Sequence, residues 1–287
     1  MRWRVRLVSG SAATMASPVS ATWSRLRYDT AALTTRNRRQ PVRNASSTLS
    51  AVTFAGSGDA FGSGGRYQAC IHLRGAGGAG PVLLDCGATS LSALKHLGLD
   101  PGEISAVFVS HLHGDHFGGL PFLILDGQFS RRTRPLAVAG PPGTARRLTD
   151  AMECLFPGSS AVSRRFAVEI TELSPGTAST VCGVTVRAWE ASHPSGAPAL
   201  LLRLNLADKT IAYTGDTAWT SAIADAAADA DLLIAEAYYR DKNIPHHLRL
   251  ADLDAHRDRL GASSSPTCPP TCSVTSTAHL SSPPATG

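Results

Sequence analysis

The sequence predicts an α/β chain in which two packed sheets carry helices on their outer faces, an αββα sandwich. Three observations lead there. Strand patterns come in runs, and helix patterns flank those runs at both ends. A buried-type strand over residues 104–110 runs straight into a cluster of histidine and aspartate. Two further residues of the same chemistry, His193 and Asp216, also fall where strands end, which would gather all of them at one edge of the two sheets.

Taken in order, residues 51–55 read as a strand, broken by Gly56-Ser57-Gly58. Residues 67–73 and 82–85 form the next two strands around a Gly-rich hairpin at 75–80. A short helix over 92–98 precedes the strand 104–110. A helix over 119–129 follows, then a strand over 136–139, then a helix over 144–155 opened by Pro141-Pro142-Gly143. Strands over 168–173, 184–190, 199–206 and 210–214 make the second run. An Ala-rich helix over 220–230, a strand over 232–235 and a helix over 250–260 complete the pattern.

Three regions differ in composition. Residues 1–49 hold nine arginines and one acid, Asp29, and are expected to be a disordered extension, either a transit peptide or sequence upstream of the true start. Residues 50–262 form the domain. Residues 263–287 are an uncharged Ser/Thr/Pro/Cys tail. The formal charge of +5 therefore misleads: without the extension, 18 basic and 21 acidic residues remain, a net of −3, which removes the case for a nucleic-acid surface on the domain. No apolar run approaches the roughly 18–20 residues of a membrane span, so no membrane partner is expected. Cys70, Cys86, Cys154 and Cys182 read as small core residues. The absence of a disulfide framework or zinc-ribbon spacing points to a reducing, cytoplasmic setting.

The chemistry sits in Ser110-His111-Leu112-His113-Gly114-Asp115-His116. Alternate residues of an extended segment face the same way, so His111 and His113 can grip one cation. Asp115 and His116, past the glycine, can grip a second. Imidazole and carboxylate donors suit zinc, with manganese or iron as alternatives.

This loop resembles the metallo-β-lactamase-fold superfamily, whose hallmark is His-x-His-x-Asp-His. Its continuation, Phe117-Gly118-Gly119-Leu120-Pro121, is similar to the ribonuclease Z branch. The resemblance spans about residues 51–262. It implies two divalent metal ions, with His111, His113 and His193 on the first and Asp115 and His116 on the second. Asp216, in Tyr213-Thr214-Gly215-Asp216-Thr217, matches the bridging carboxylate, and Asp85, in Leu83-Leu84-Asp85-Cys86-Gly87, matches an acid that orients the metal loop. His247, after Glu236-Ala237, is the candidate proton donor to the leaving group; as residues alone, His246-His247 reads equally well as a surface pair at a helix start. The resemblance also implies a last strand ending in a Leu-Thr-His-like motif. Residues 263–272 show no such pattern, so that strand and its ligand are expected to be missing, unless His256 or His279 serves. One plausible coding string for the tail reads as Val-Leu-Thr-His after a frame shift, which is compatible with a frameshift product.

The function implied is a metal-dependent phosphodiesterase, in which a metal-bound hydroxide attacks phosphorus with Asp115 as a helping base. Activity in this chain is expected to be impaired if the ending is altered. RNA processing in the family uses a protruding basic arm; none is visible between His116 and His193, so a small phosphodiester, such as a cyclic nucleotide, fits at least as well as RNA. The alternatives are thioester, lactone or ester hydrolysis on the same metals, and a metal-poor, non-catalytic remnant. A homodimer is among the assemblies expected.

Overall fold

The computed structural model describes residues 49–75 and 80–260, together with the backbone of 274–278. The first sheet takes its six strands in chain order: β1 (Leu49–Gly56), β2 (Cys70–Gly75), β3 (Val82–Leu84), β4 (Ala106–Phe108), β5 (Leu136–Gly140) and β6 (Val168–Glu172). β1 to β3 are antiparallel neighbours, while β3 through β6 run parallel. The helices α1 (Ser90–His96), α2 (Gly114–Phe117), α3 (Leu120–Phe129) and α4 (Thr144–Leu155) lie between these strands in sequence. The second sheet holds β7 (Ala178–Val181), β8 (Val184–Glu190), β9 (Leu200–Leu206), β10 (Lys209–Tyr213), β11 (Leu232–Ala237) and β12 (Val274–Ala278), again in chain order. β7 to β10 are antiparallel, and β11 and β12 add in parallel. The helices α5 (Ser221–Ala227) and α6 (Leu250–Ala255) accompany it.

Strand alternation builds the layers. Leu73, Leu84 and Phe108 of the first sheet meet Val186, Leu202, Leu204 and Ile234 of the second in one buried cluster. The opposite face of the first sheet, with Leu83, Val107 and Val138, packs on Leu94, Leu120, Ile124 and Leu148 of the helices. The opposite face of the second, with Leu201, Ala212 and Leu233, packs on Ile223, Ala226 and Leu253. The order helix, sheet, sheet, helix is the predicted αββα sandwich. Among the described residues no helix is long and apolar enough to cross a membrane.

Several expectations need correction. A terminal strand is present: Val274–Ala278 pairs in parallel with β11, from Leu233↔Val274 to Ala237↔Ala278. Its valine and threonines carry β-branched propensity without apolar alternation, and β11 offers an unpaired edge to receive it. Leu49, assigned to the extension, opens β1 and is buried; residues 1–48 lie outside the described residues. β7 was not predicted, because its Ala-Ser-Thr-Val sequence shows no apolar period. Cys70 and Cys86 are buried, but Cys154 and Cys182 are exposed. Cys154 sits on the amphipathic helix α4 away from its buried Leu148 and Met152, and Cys182 forms the Cys182-Gly183 turn between β7 and β8, with φ of 47° and 76°. The hairpin between β2 and β3 is confirmed by their antiparallel register, its tip at 76–79 lying outside the described residues.

Candidate metal centre

The site forms where β3, β4, β8, β10 and β11 end. Backbone bonds pin the histidine loop on the turn after β3: Cys86 N–H donates to His116 O at 2.7 Å, Ala88 N–H to Gly114 O at 3.1 Å, and Gly119 N–H to Cys86 O at 2.8 Å. The approach is close enough to demand glycine. A Cβ at Gly87 would lie 2.1 Å from Asp115 O, and one at Gly215, where φ is 54°, would lie 2.6 Å from Ser110 Cβ. The second sheet joins through Leu200 N–H, which donates to Ser110 O at 2.9 Å.

Asp85 is the buried hub of this arrangement. Its left-handed backbone, with φ of 58°, turns the chain out of β3 and aims the carboxylate at the loop. Oδ1 accepts Ser110 N–H at 2.7 Å. Oδ2 accepts Ser110 Oγ–H at 2.8 Å and Tyr213 Oη–H at 2.6 Å, and lies 2.7 Å from His116 Nδ1. At that distance His116 Nδ1–H donates to the carboxylate, so Nε2 is the nitrogen left for the site. Burial opposes charge on His116, but Asp216 and Asp85 outweigh it and hold its pKa well above the usual imidazole range.

The donor chemistry fits a cation. Ser110 Oγ spends its proton on Asp85, so His111 Nδ1, 3.1 Å away, donates to it. His193 Nδ1 donates to the His246 carbonyl at 3.1 Å. Each neutral ring therefore presents a lone pair on Nε2. Both of these face His113 Nδ1, at 3.2 and 3.1 Å. One proton on His113 could satisfy one of them and never both, whereas a divalent ion satisfies all three. Burial, followed by the charge of His116, holds the pKa of His111 well below the usual range, and burial also lowers that of His193, so both favour the neutral, ligating form. A second group overlaps the first. His111, His116 and Asp216 bring their donor atoms within 4.8 Å of one another, with His116 Nε2 3.2 Å from Asp216 Oδ1. Asp216 stays ionised despite burial, because His116 and His111 depress its pKa.

The family model described as Anti-Pycsar protein Apyc1 matches residues 50–260. The chain belongs to the Apyc1 family. It is similar to the ribonuclease Z of Mycobacterium sp. (strain KMS), 31% identical over 202 residues that cover 66% of this chain and 69% of that protein. The ribonuclease Z of Methanosarcina acetivorans is 28% identical over 238 residues, covering 67% and 76% respectively. The crystal structure of the short form of human tRNase Z superposes with a TM-score of 0.62 at 24% identity, over 80% of this chain and 95% of that one. These matches place the Apyc1-family chain in the metallo-β-lactamase fold, on its ribonuclease Z-like branch.

In this family member the remaining candidates occupy distinct positions. Asp115 Oδ2 lies 3.7 Å from His116 Nε2, beside the tight donor groups rather than within them. His247 is drawn into the site rather than left as a surface residue: its Nδ1 lies 2.9 Å from Glu236 Oε2 and 3.9 Å from Asp216 Oδ2. His246 is the exposed member of the pair. His256 is no ligand, since it stacks on Trp219 at 3.7 Å and its Nδ1 meets Asp252 O at 2.8 Å. His279 lies outside the described residues.

Three contributors escaped sequence reasoning: Ser110, Tyr213 and Glu236. Glu236, on β11, accepts Thr217 N–H at 2.5 Å and holds His247. Burial, then the charge of Asp216, pushes its pKa up to about 7. Burial lowers the pKa of His247, but Glu236 more than reverses this. The pair therefore retains a proton near neutral pH. Glu236-Ala237 served in the sequence only as the landmark that precedes His247, and the one further signal was an acid inside an otherwise apolar strand.

Proposed function

We propose that the chain is a metal-dependent phosphodiesterase acting on a small phosphodiester through two adjacent divalent ions, zinc first among them. One observation carries this reading: of three candidate donor groups among the described residues, His111/His113/His193 and His111/His116/Asp216 share His111, which supports two neighbouring cation positions, and the third, His193/Asp216/His247, overlaps both. His111, His113 and His193 would hold the first ion, Asp115 and His116 the second, and Asp216 would reach both. Bound there, the ions supply Lewis-acid charge for phosphoryl oxygens and make water acidic at neutral pH. The relationship to ribonuclease Z supports phosphodiester chemistry.

The chain's own residues account for the rest. Asp85 fixes the ring of His116 and, through Ser110, that of His111. Glu236 keeps His247 protonated and stationary, which suits it to deliver a proton to the departing oxygen. Asp115, partly buried beside His116, is placed to take a proton from attacking water. The segment from Leu120 to Glu190 is taken up by α3, β5, α4 and β6 to β8, with no protruding arm among the described residues. That compactness, with the net charge of −3 outside the basic extension, favours a small substrate over a structured RNA.

The test is hydrolysis by the zinc- or manganese-loaded full chain of bis(p-nitrophenyl) phosphate, a 3′,5′-cyclic nucleotide, a precursor tRNA and a thioester panel. Turnover of the first two is expected, with loss of metal and rate in His113→Ala. Preferential cleavage of the tRNA would overturn the substrate assignment, and preference for thioesters would overturn the reaction class.

A further inference from the structure

The outer face of the second sheet is only partly covered by helices. α5 and α6 pack over Leu201, Ala212 and Leu233. Alongside α5 the outward positions turn polar. Val184, Val186 and Ala188 of β8 point into the core, so Thr185 and Arg187 point out; likewise Leu202 and Leu204 of β9 point in, and Arg203 and Asn205 out. These side chains, with Trp189 and Asp225, line a groove of about 620 Å³, a volume ordinary for a small-molecule site. None of them belongs to the metal centre.

Arg187 and Arg203 are direct partners in the β8–β9 ladder. Like charges directly opposite one another destabilise a sheet. Among the described residues neither guanidinium has a carboxylate within ion-pair distance, and the Lys and Arg ion pairs engage other side chains. Arg187 instead lies over the Trp189 ring, 5.2 Å from its centroid. A guanidinium held over an indole by cation–π attraction still has N–H groups to offer, and those groups can grip an oxyanion.

We propose that this groove binds a sugar phosphomonoester, either free or within a nucleotide. The phosphate would sit between Arg187 and Arg203. Asp225, on α5 in the same groove, repels a second anion and calls for donors, which sugar hydroxyls supply. Asn205, already accepting Thr210 Oγ1–H at 3.1 Å, keeps its amide N–H groups for the ligand. A groove this size holds a phosphate together with its sugar, where bare phosphate would leave most of it to water.

The experiment is calorimetric titration of the full chain in EDTA, which keeps the metal centre out of the measurement. The probes are ribose 5-phosphate, a nucleoside 5′-monophosphate and inorganic phosphate. Saturable one-to-one binding of at least one of the first two is expected, weakened about tenfold or more in Arg187→Gln and in Arg203→Gln. Asp225→Asn should weaken the sugar phosphates while strengthening inorganic phosphate. All three substitutions are at surface positions, and circular dichroism confirms that the variants fold. No saturable binding by any probe, or binding that both arginine variants retain, would overturn the proposal. A uniform gain for all three probes in Asp225→Asn would overturn the role given to the sugar.

Discussion

Replacing Asp85 by Asn should damage both stability and metal affinity. Asparagine tolerates the left-handed backbone at this position, so the φ of 58° need not change. The change is chemical. Four donors converge on the carboxylate, and Asn offers one oxygen and an NH₂ group, which turns a donor towards donors. At least one buried donor loses its acceptor, and another loses a charge-assisted bond. Each loss costs about 1–3 kcal/mol, so a total near 3 kcal/mol is expected. For a domain of this size that lowers the melting temperature by about 6–12 °C. Because Asp85 orients His116, and His111 through Ser110, metal affinity should fall about 10–100-fold. Calorimetric melting of the metal-free protein gives the first quantity, and competition with a chromophoric chelator gives the second. A melting temperature within a degree of the parent, with unchanged affinity, would refute the hub role. Tyr213→Phe, which removes a single donor, should cost only about 1 kcal/mol.

Three further outcomes are expected. His72 is buried with Nδ1 unpartnered, and burial, then Arg74, lowers its pKa to about 4. Its contribution to stability is complete above the unfolded pKa near 6.5 and is lost as pH falls towards about 4, so metal-free protein should lose about 2–3 kcal/mol across that window, a loss that His72→Phe removes in urea titrations. Glu236→Gln should lower the pKa of His247; if protonated His247 serves the reaction, the alkaline limb of the pH–rate profile moves to lower pH, and an unmoved limb would exclude the pairing from catalysis. Ending the chain at Leu260 removes β12 and bares the edge of β11, so sedimentation should show self-association and melting should occur earlier; identical behaviour would mean that β12 adds nothing to the sheet.

What could be read from the sequence followed the strength of each local signal. β8 announced itself by alternation, one face buried and the other exposed, whereas β9 and β10 showed as short apolar runs, Leu200-Leu201-Leu202 and Ile211-Ala212-Tyr213, buried on both faces. The histidine loop was legible because its ligands lie within six residues. β7 and β12 were not, since Ala-Ser-Thr-Val and Val-Thr-Ser-Thr-Ala are edge strands with no apolar period to betray them. α2, a single turn, was hidden inside the motif it supports. Tyr213 and Asp85 are 128 residues apart, and their hydrogen bond exists only once the two sheets have met. Periodicity reports which face of an element is buried; it carries no information about which polar group waits on the other side.

The strand order has a consequence for how the site comes into being. All of β1 to β6 precede residue 173, and all of β7 to β12 follow it, so the chain builds one sheet and then the other, crossing once near Gly176. The site residues divide along the same seam: His111, His113, Asp115 and His116 come from the first half, and His193, Asp216 and His247 from the second. Neither half alone assembles the three-histidine group. A cation held there acts as a clasp between two consecutive pieces of chain, and fragments severed at Gly176 should recombine more tightly as metal is added. The affinity of the ion would then report how firmly the halves embrace, and a substitution far from any ligand could loosen the metal simply by prying the sheets apart.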